Sequence, residues 1–118
     1  MNIHHSVKEH CSVIGLEGRL EAGQADAVLA AVRQALADGP PNLLLDCSQL
    51  SYAASMGLRC FLLAQKEAQQ AGGTAVFSGL NDNVRSIFTV TGFDKLVRVL
   101  ETEEEALALF NPPPERRP

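Results

Sequence analysis

Residues 46–59 hold most of the side chains in this sequence that could take part in chemistry. They include one acid and three serine hydroxyl groups, at Asp46, Ser48, Ser51 and Ser55. A Ser at the start of a helix is most often an N-cap, whose hydroxyl accepts a hydrogen bond from a backbone N–H two or three residues later. The small neighbours of Ser55, Ala54 and Gly57, leave its hydroxyl sterically open, so a role in modification or partner contact is the alternative.

Nucleophilic catalysis is poorly supported by this segment. A nucleophile elbow of the G-x-S-x-G type needs Gly on both sides of the Ser, and residues 53–57 supply only the second Gly. A small hydrolase that uses Ser55 or Cys60 is a distant alternative, because no base and acid partners can be named for either nucleophile. We therefore predict no catalytic residue and no enzymatic activity.

The histidines and cysteines do not predict a metal site or a disulfide framework. His4, His5 and His10 with Cys11 match no common zinc-ligand spacing, which favours solvated strand residues. The three cysteines are odd in number and form no CxxC pair, so we expect small buried thiols in a reducing, cytoplasmic compartment. We predict no metal and no cofactor.

The periodicity of apolar residues predicts alternating strands and helices around this segment. Two short strands with a turn at residues 8–10 are followed by an amphipathic helix over residues 22–38. The apolar run at residues 43–45 predicts a strand buried on both faces, and residues 46–54 predict a polar connection to a second helix. That helix is expected to begin near Ser55 or Met56, to end near residue 71 and to bury residues that include Leu58, Phe61 and Leu62.

The remaining elements continue the same alternation. A strand is expected at residues 75–77, a short helix near residues 84–91, a strand near residues 97–100, and a final helix that Thr102 and Glu105 open through a capping box. Such alternation predicts an α/β fold, with a short N-terminal strand pair leading into a largely parallel sheet.

Length and composition fit one domain without a membrane or nucleic-acid role. The chain has 118 residues, and the fourteen acidic against ten basic side chains give a net charge of −4, unlike the basic surface of nucleic-acid-binding proteins. We expect one domain over residues 1–111 and a flexible Pro-rich tail over residues 112–118. No signal peptide and no membrane-spanning run are expected.

The chain resembles a STAS domain of the bacterial anti-sigma factor antagonist group. The resemblance covers about residues 10–110, in order and with matching spacing. It is carried by residues 18–22, 45–52, 54–59, 72–73, 79–81, 91–93 and 97–109.

This resemblance implies a fold and a switching mechanism. The fold is a mixed, largely parallel sheet of about four to five strands packed with about four helices. In the family, a Ser at the start of the second helix is phosphorylated by a partner anti-sigma factor that is also a kinase, and a phosphatase resets the switch. The unphosphorylated form binds that partner and frees the sigma factor. Ser55 matches the phosphorylated position.

The resemblance also implies which residues contact the partner. Glu21 falls where the family usually has an acid near the phosphorylated Ser, and Asp46 and Ser48 match the pattern at the end of the central strand. We expect the partner-binding residues to be Glu21, Asp46, Ser48, Ser51, Tyr52, Ala54, Met56, Gly57 and Arg59.

Two residues depart from the family pattern. Ala54 stands where the family commonly has Asp, and Met56 is bulkier than the small residue usually found there. Ala54 favours an alternative in which the chain is a constitutive STAS scaffold, or an accessory subunit of a signalling assembly or transporter, that is never phosphorylated.

Overall fold

The computed structural model describes residues 1–8 and 10–110 of this protein. It contains five strands: β1 (Asn2–Lys8), β2 (Cys11–Leu20), β3 (Leu43–Ala53), β4 (Ala75–Ser78) and β5 (Arg98–Leu100). The α-helices are α1 (Ala22–Asp38), α2 (Ser55–Gln70), α3 (Asp82–Val90) and α4 (Glu103–Phe110), with a short 3₁₀ turn at Phe93–Lys95. Glu9, in the expected turn at residues 8–10, and the expected tail at residues 112–118 lie outside the described residues.

The strands form one mixed sheet in the order β1-β2-β3-β4-β5. β1 pairs with β2 antiparallel, and every later neighbouring pair is parallel. Parallel strands require crossover connections, which α1, α2 and α3 with the 3₁₀ turn supply in sequence. The predicted α/β fold with an N-terminal strand pair is confirmed.

Helices cover both faces of this sheet. The larger core lies under α1, α2 and α3, where Leu45 and Phe77 of the sheet pack with Phe61 of α2. The smaller core lies under α4, where Leu44 packs near Ala106. Leu44 and Leu45 therefore point to opposite faces, and the prediction of a strand buried on both faces is confirmed.

β3 continues well past the end predicted from the sequence. Residues 46–53, expected in a polar connection, belong to the strand because β2 keeps pairing with them as far as Leu20. The register shifts between Gly15 and Glu17 and again between Gly18 and Arg19, and each shift accommodates an extra β3 residue as a bulge. The bulges and the polar outer face of the strand hide the period-two pattern that would have indicated it.

The carboxyl half of β3 extends beyond β4, whose pairing ends at Ser78 opposite Asp46. Side chains from the start of α3 cover that half of the strand. The Asn81 amide donates to the Leu50 carbonyl and the Asn83 amide to the Ser51 carbonyl, each at 3.0 Å. The Asn81 side chain also caps α3 by accepting from the Val84 N–H, so α3 is held against β3.

Further local predictions have mixed outcomes. Leu58 and Phe61 are buried as expected, but Leu62 is 37% exposed because it lies on the outward face of α2. The capping box of α4 is confirmed, since Thr102 Oγ1 accepts from the Glu105 N–H and Glu105 Oε1 accepts from the Thr102 N–H. Among the described helices, none combines the length and apolarity needed to cross a membrane.

Candidate functional site: the start of helix α2

The carboxyl ends of β2 and β3 place the beginnings of two helices side by side. Leu20 is the register partner of Ala53, and the Ala54 N–H donates to the Leu20 carbonyl at 2.9 Å. The next residues, Glu21 and Ser55, lead into α1 and α2. Three predicted site residues, Glu21, Ala54 and Ser55, are therefore brought to one edge of the sheet.

Ser55 is the first residue of α2 rather than its N-cap. Ala54 occupies the N-cap in an extended conformation, and its methyl group can make no capping hydrogen bond. The N–H groups of Gly57 and Leu58 donate to the Ala54 carbonyl, at 2.9 and 3.0 Å. The N-cap interpretation of Ser55 is thus wrong, and its exposed hydroxyl is not required to start the helix.

Gly57 brings the first turn of α2 against the end of β2. A Cβ at this position would lie 2.8 Å from Leu20 Cγ and 3.1 Å from the Leu20 carbonyl oxygen. Gly57 is buried, so its close approach is to Leu20 of its own chain. The glycine therefore sets where α2 begins, and so where Ser55 lies.

Glu21, Tyr52 and Ser51 lie at the same edge and are linked through the end of β2. The Glu21 N–H donates to Gln24 Oε1, and the Glu21 carboxylate lies 3.5 Å from Arg19 Nε. The Arg19 guanidinium stacks over the Tyr52 ring at 4.4 Å, and the Ser51 hydroxyl donates to the Gly18 carbonyl at 3.0 Å. These contacts connect the acid and the aromatic ring to the end of β2, which lies beside the start of α2.

Met56 and Arg59 belong to an exposed strip of α2 that also contains the exposed apolar side chains of Leu62 and Leu63. We define the α2 outer face as Ser55, Met56, Arg59, Leu62 and Leu63. Met56 is 49% exposed, and Leu63 is 38% exposed. Helical spacing could have revealed Leu63, because residues 56, 59 and 63 recur at steps of three and four.

A groove runs beside the α2 outer face, between α1 and α2. It has a volume of about 420 Å³, and Asp26 of α1 and Arg59 of α2 bring charge to it. Its remaining lining residues are Ala25, Leu29, Met56, Cys60 and Leu63. The α1 side of this groove was missed because Ala25 and Leu29 fit equally well as core positions of an amphipathic helix.

Asp46 and Ser48 lie away from the start of α2. They line a pocket of about 220 Å³ on the sheet face that carries α4, together with residues of β1 and β2. Asp46 Oδ1 accepts from the Ser48 N–H at 3.0 Å. Asp46 precedes the end of β3 by seven residues, which corresponds to roughly 20 Å of strand. The structure therefore does not bring these two side chains together with Ser55.

The histidine and cysteine side chains give no support to a metal or thiol site. Within residues 1–8 and 10–110, no three or more His, Cys, Asp or Glu side chains are placed to hold a metal ion. Cys60 is buried, and desolvation raises the pKa of its thiol to about 11, so little thiolate forms near neutral pH. This argues against Cys60 as a nucleophile.

Comparison with known proteins gives matches both in sequence and in structure. The family model described as "Mlab, STAS domain" matches residues 3–100. In sequence, the chain is similar to BtrV of Bordetella bronchiseptica, which is described as a candidate anti-sigma factor antagonist. The two are 32% identical over 95 residues, which span 80% of this chain and 82% of BtrV.

Two further comparisons extend the match. The anti-sigma-B factor antagonist of Listeria monocytogenes is 28% identical over 109 residues, covering 89% of this chain and 95% of that protein. The crystal structure of an anti-sigma factor antagonist from Mycobacterium paratuberculosis superposes with a TM-score of 0.82 at 23% identity, covering 92% of each chain. From the family model that spans most of its length, this chain belongs to the STAS domain family.

Proposed function

We propose that this protein is a cytoplasmic anti-sigma factor antagonist that acts by binding rather than by catalysis. Its relatives from Bordetella and Listeria carry that functional description. In the proposal, the α2 outer face and the neighbouring edge at Glu21 bind a kinase-type anti-sigma factor while Ser55 is unphosphorylated. Phosphorylation of Ser55 releases the partner, and a phosphatase restores binding.

The observation that carries this proposal is the placement of Ser55. Its hydroxyl is exposed at the first residue of α2, next to the half-exposed Met56 and one turn before Arg59. A partner that docks on this strip would cover the hydroxyl, and a kinase could reach it without unfolding the helix. The apolar side chains of the α2 outer face offer surface that a partner can bury, and the charges of Arg59 and Glu21 can orient that partner.

The position of Ser55 also explains how a phosphate could act without refolding the protein. A phosphoserine carries a charge of about −1.5 to −2 at neutral pH. The helix dipole and the unpaired N–H groups of a first turn favour an anion there, and this first turn contains no acidic residue. We therefore expect the phosphate to act at the partner surface, through desolvation and like-charge repulsion.

The test is a phosphorylation assay with a kinase-type anti-sigma factor from the same organism. The chain is incubated with that protein and ATP, and the phosphate is mapped by mass spectrometry. We expect modification at Ser55 and none in Ser55→Ala. Ser48 and Ser51 serve as internal controls, because Ser51 donates its hydroxyl to Gly18 and Ser48 lies away from α2. Phosphate on either of them instead would overturn the assignment.

A second candidate function is a constitutive scaffold or accessory subunit that is never phosphorylated. Ala54 favours it, because the N-cap beside Ser55 has no carboxylate to orient the hydroxyl or to contact a kinase. Binding to the same partner with no modification in the presence of ATP would select this candidate.

A further inference from the structure

Arg59 lies one helical turn after Ser55 on the same exposed strip of α2. Residues four apart on a helix are neighbours, and helical side chains lean towards the N-terminus of their helix. The Arg59 side chain lines the α1–α2 groove, and from the next turn of α2 its length allows it to reach back to Ser55. Both residues are exposed, so no packed side chain separates them.

The guanidinium of Arg59 is not committed to another group in the described part of the chain. The ion pairs there join other side chains, including Arg33 with Glu67, which links α1 to α2 further along the helices. Two acids lie on this side of the protein: Asp26 lines the α1–α2 groove, and the Glu21 carboxylate is 3.5 Å from Arg19. Asp26 shares the groove with Arg59, but the two are not within ion-pair distance.

We propose that Arg59 binds the phosphate of phosphorylated Ser55 within the same molecule. This rests on the proposed function only in requiring that Ser55 be the modified residue. The phosphate would then change the α2 outer face in two ways. It adds negative charge at Ser55, and it pairs with Arg59, which can then no longer form an ion pair with an acidic group of the partner.

The geometry favours this pair in three respects. An anion at position i with a cation at position i+4 is the better orientation on a helix. A guanidinium offers two parallel N–H donors to phosphate oxygens, which an ammonium cannot do. The first turn of α2 itself favours an anion at Ser55, so the phosphate and the helix N-terminus do not oppose each other.

The test measures the phosphate directly and needs no kinase. Phosphoserine is installed at position 55 by genetic encoding, and the second ionisation of the phosphate is followed by ³¹P NMR titration in about 0.15 M salt. A cation beside the phosphate favours the dianion and lowers its pKa. We expect Arg59→Gln to raise the phosphate pKa by about 0.2–0.4 pH unit, and Arg59→Lys to raise it by less.

Lys66→Gln is the matched control. Lys66 is exposed on α2 and its loss changes the net charge equally, but it lies eleven residues after Ser55, about 16 Å along the helix axis. That exceeds the screening length near physiological salt, where we expect a change below about 0.1 pH unit. Equal shifts in Lys66→Gln and Arg59→Gln, or no shift in Arg59→Gln, would overturn the proposal. Neither result depends on whether a natural kinase modifies Ser55.

Discussion

In the proposed function, Ser55 lies where phosphorylation would change partner recognition and leave the fold unchanged. Its hydroxyl neither caps α2 nor is buried, and the residue that does occupy the N-cap is Ala54. A negative charge added at Ser55 should therefore disfavour the binding of a partner to the α2 outer face rather than the folding of α2. At the scale of single residues, we therefore expect a negative charge at position 55 to weaken partner binding without lowering the stability of the fold.

Ser55→Asp tests this expectation. The substitution places a negative charge at the first residue of α2, where the helix dipole favours it, so the melting temperature should be unchanged or slightly higher. Binding to the anti-sigma factor should weaken at least about tenfold, because the charge must be desolvated at the interface. Isothermal titration calorimetry and thermal unfolding measure the two effects.

Ser86→Asp is the control for that variant, since Ser86 is an exposed residue of α3, away from the α2 outer face. It should leave binding unchanged. If Ser55→Asp lowered the melting temperature, and its weaker binding could be explained by the loss of folded protein alone, the prediction would be contradicted.

The three cysteines should behave as core residues rather than as reactive thiols. Burial raises the pKa of Cys11 and of Cys60 to about 11 and raises that of Cys47 as well. At pH 8, about one Cys11 or Cys60 thiol in a thousand would be ionised. In a thiol-labelling assay at pH 8 we expect negligible reaction of the folded protein and three labels per chain in guanidinium. Rapid labelling of the folded protein would contradict this packing.

At the scale of elements, the contact between Gly57 and Leu20 joins the start of α2 to the end of β2. Gly57→Ala places a methyl group 2.8 Å from Leu20 Cγ, so α2 or Leu20 must shift. We expect the free energy of unfolding to fall by about 1–3 kcal/mol. Chemical denaturation measures the change.

Gly23→Ala is the matched control for that substitution. Gly23 lies in the first turn of α1, and a Cβ there meets no atom within 4 Å. Its replacement should be neutral or stabilising by about 0.5–1 kcal/mol, because Ala has the higher helix propensity. Equal destabilisation by both substitutions would contradict the role assigned to Gly57.

The sequence predicted those elements whose apolar residues follow one clear period. α1 has the bounds expected, because Ala25, Val28 and Val32 recur at helical spacing and all point into the core. The second half of β3 was missed, because two bulges disturb its alternation and only β2 holds it in the sheet. Asp46 and Ser55 are close in sequence and were grouped in one site, but the extended strand between them separates the two.

At the scale of the whole molecule, the long parallel pairing of β2 with β3 supports the edge of the sheet where Glu21 and Ser55 lead into α1 and α2. Phosphorylation of Ser55 should therefore be a local event. We expect amide NMR spectra of the two forms to differ within residues 51–60 and at the adjoining end of β2, and to coincide elsewhere. Widespread shifts in α3, α4 or β1 would show that the phosphate changes the fold, and would contradict a switch confined to the surface.

The amides of Asn81 and Asn83 occupy carbonyl groups along the part of β3 that extends beyond β4. An extended segment with open carbonyl groups is a template on which a strand from another molecule can add. It lies next to the end of the protein that we propose for partner recognition. Because Asn81 and Asn83 already occupy two of these carbonyl groups, we expect α3 to disfavour the addition of a strand from a second copy at this edge.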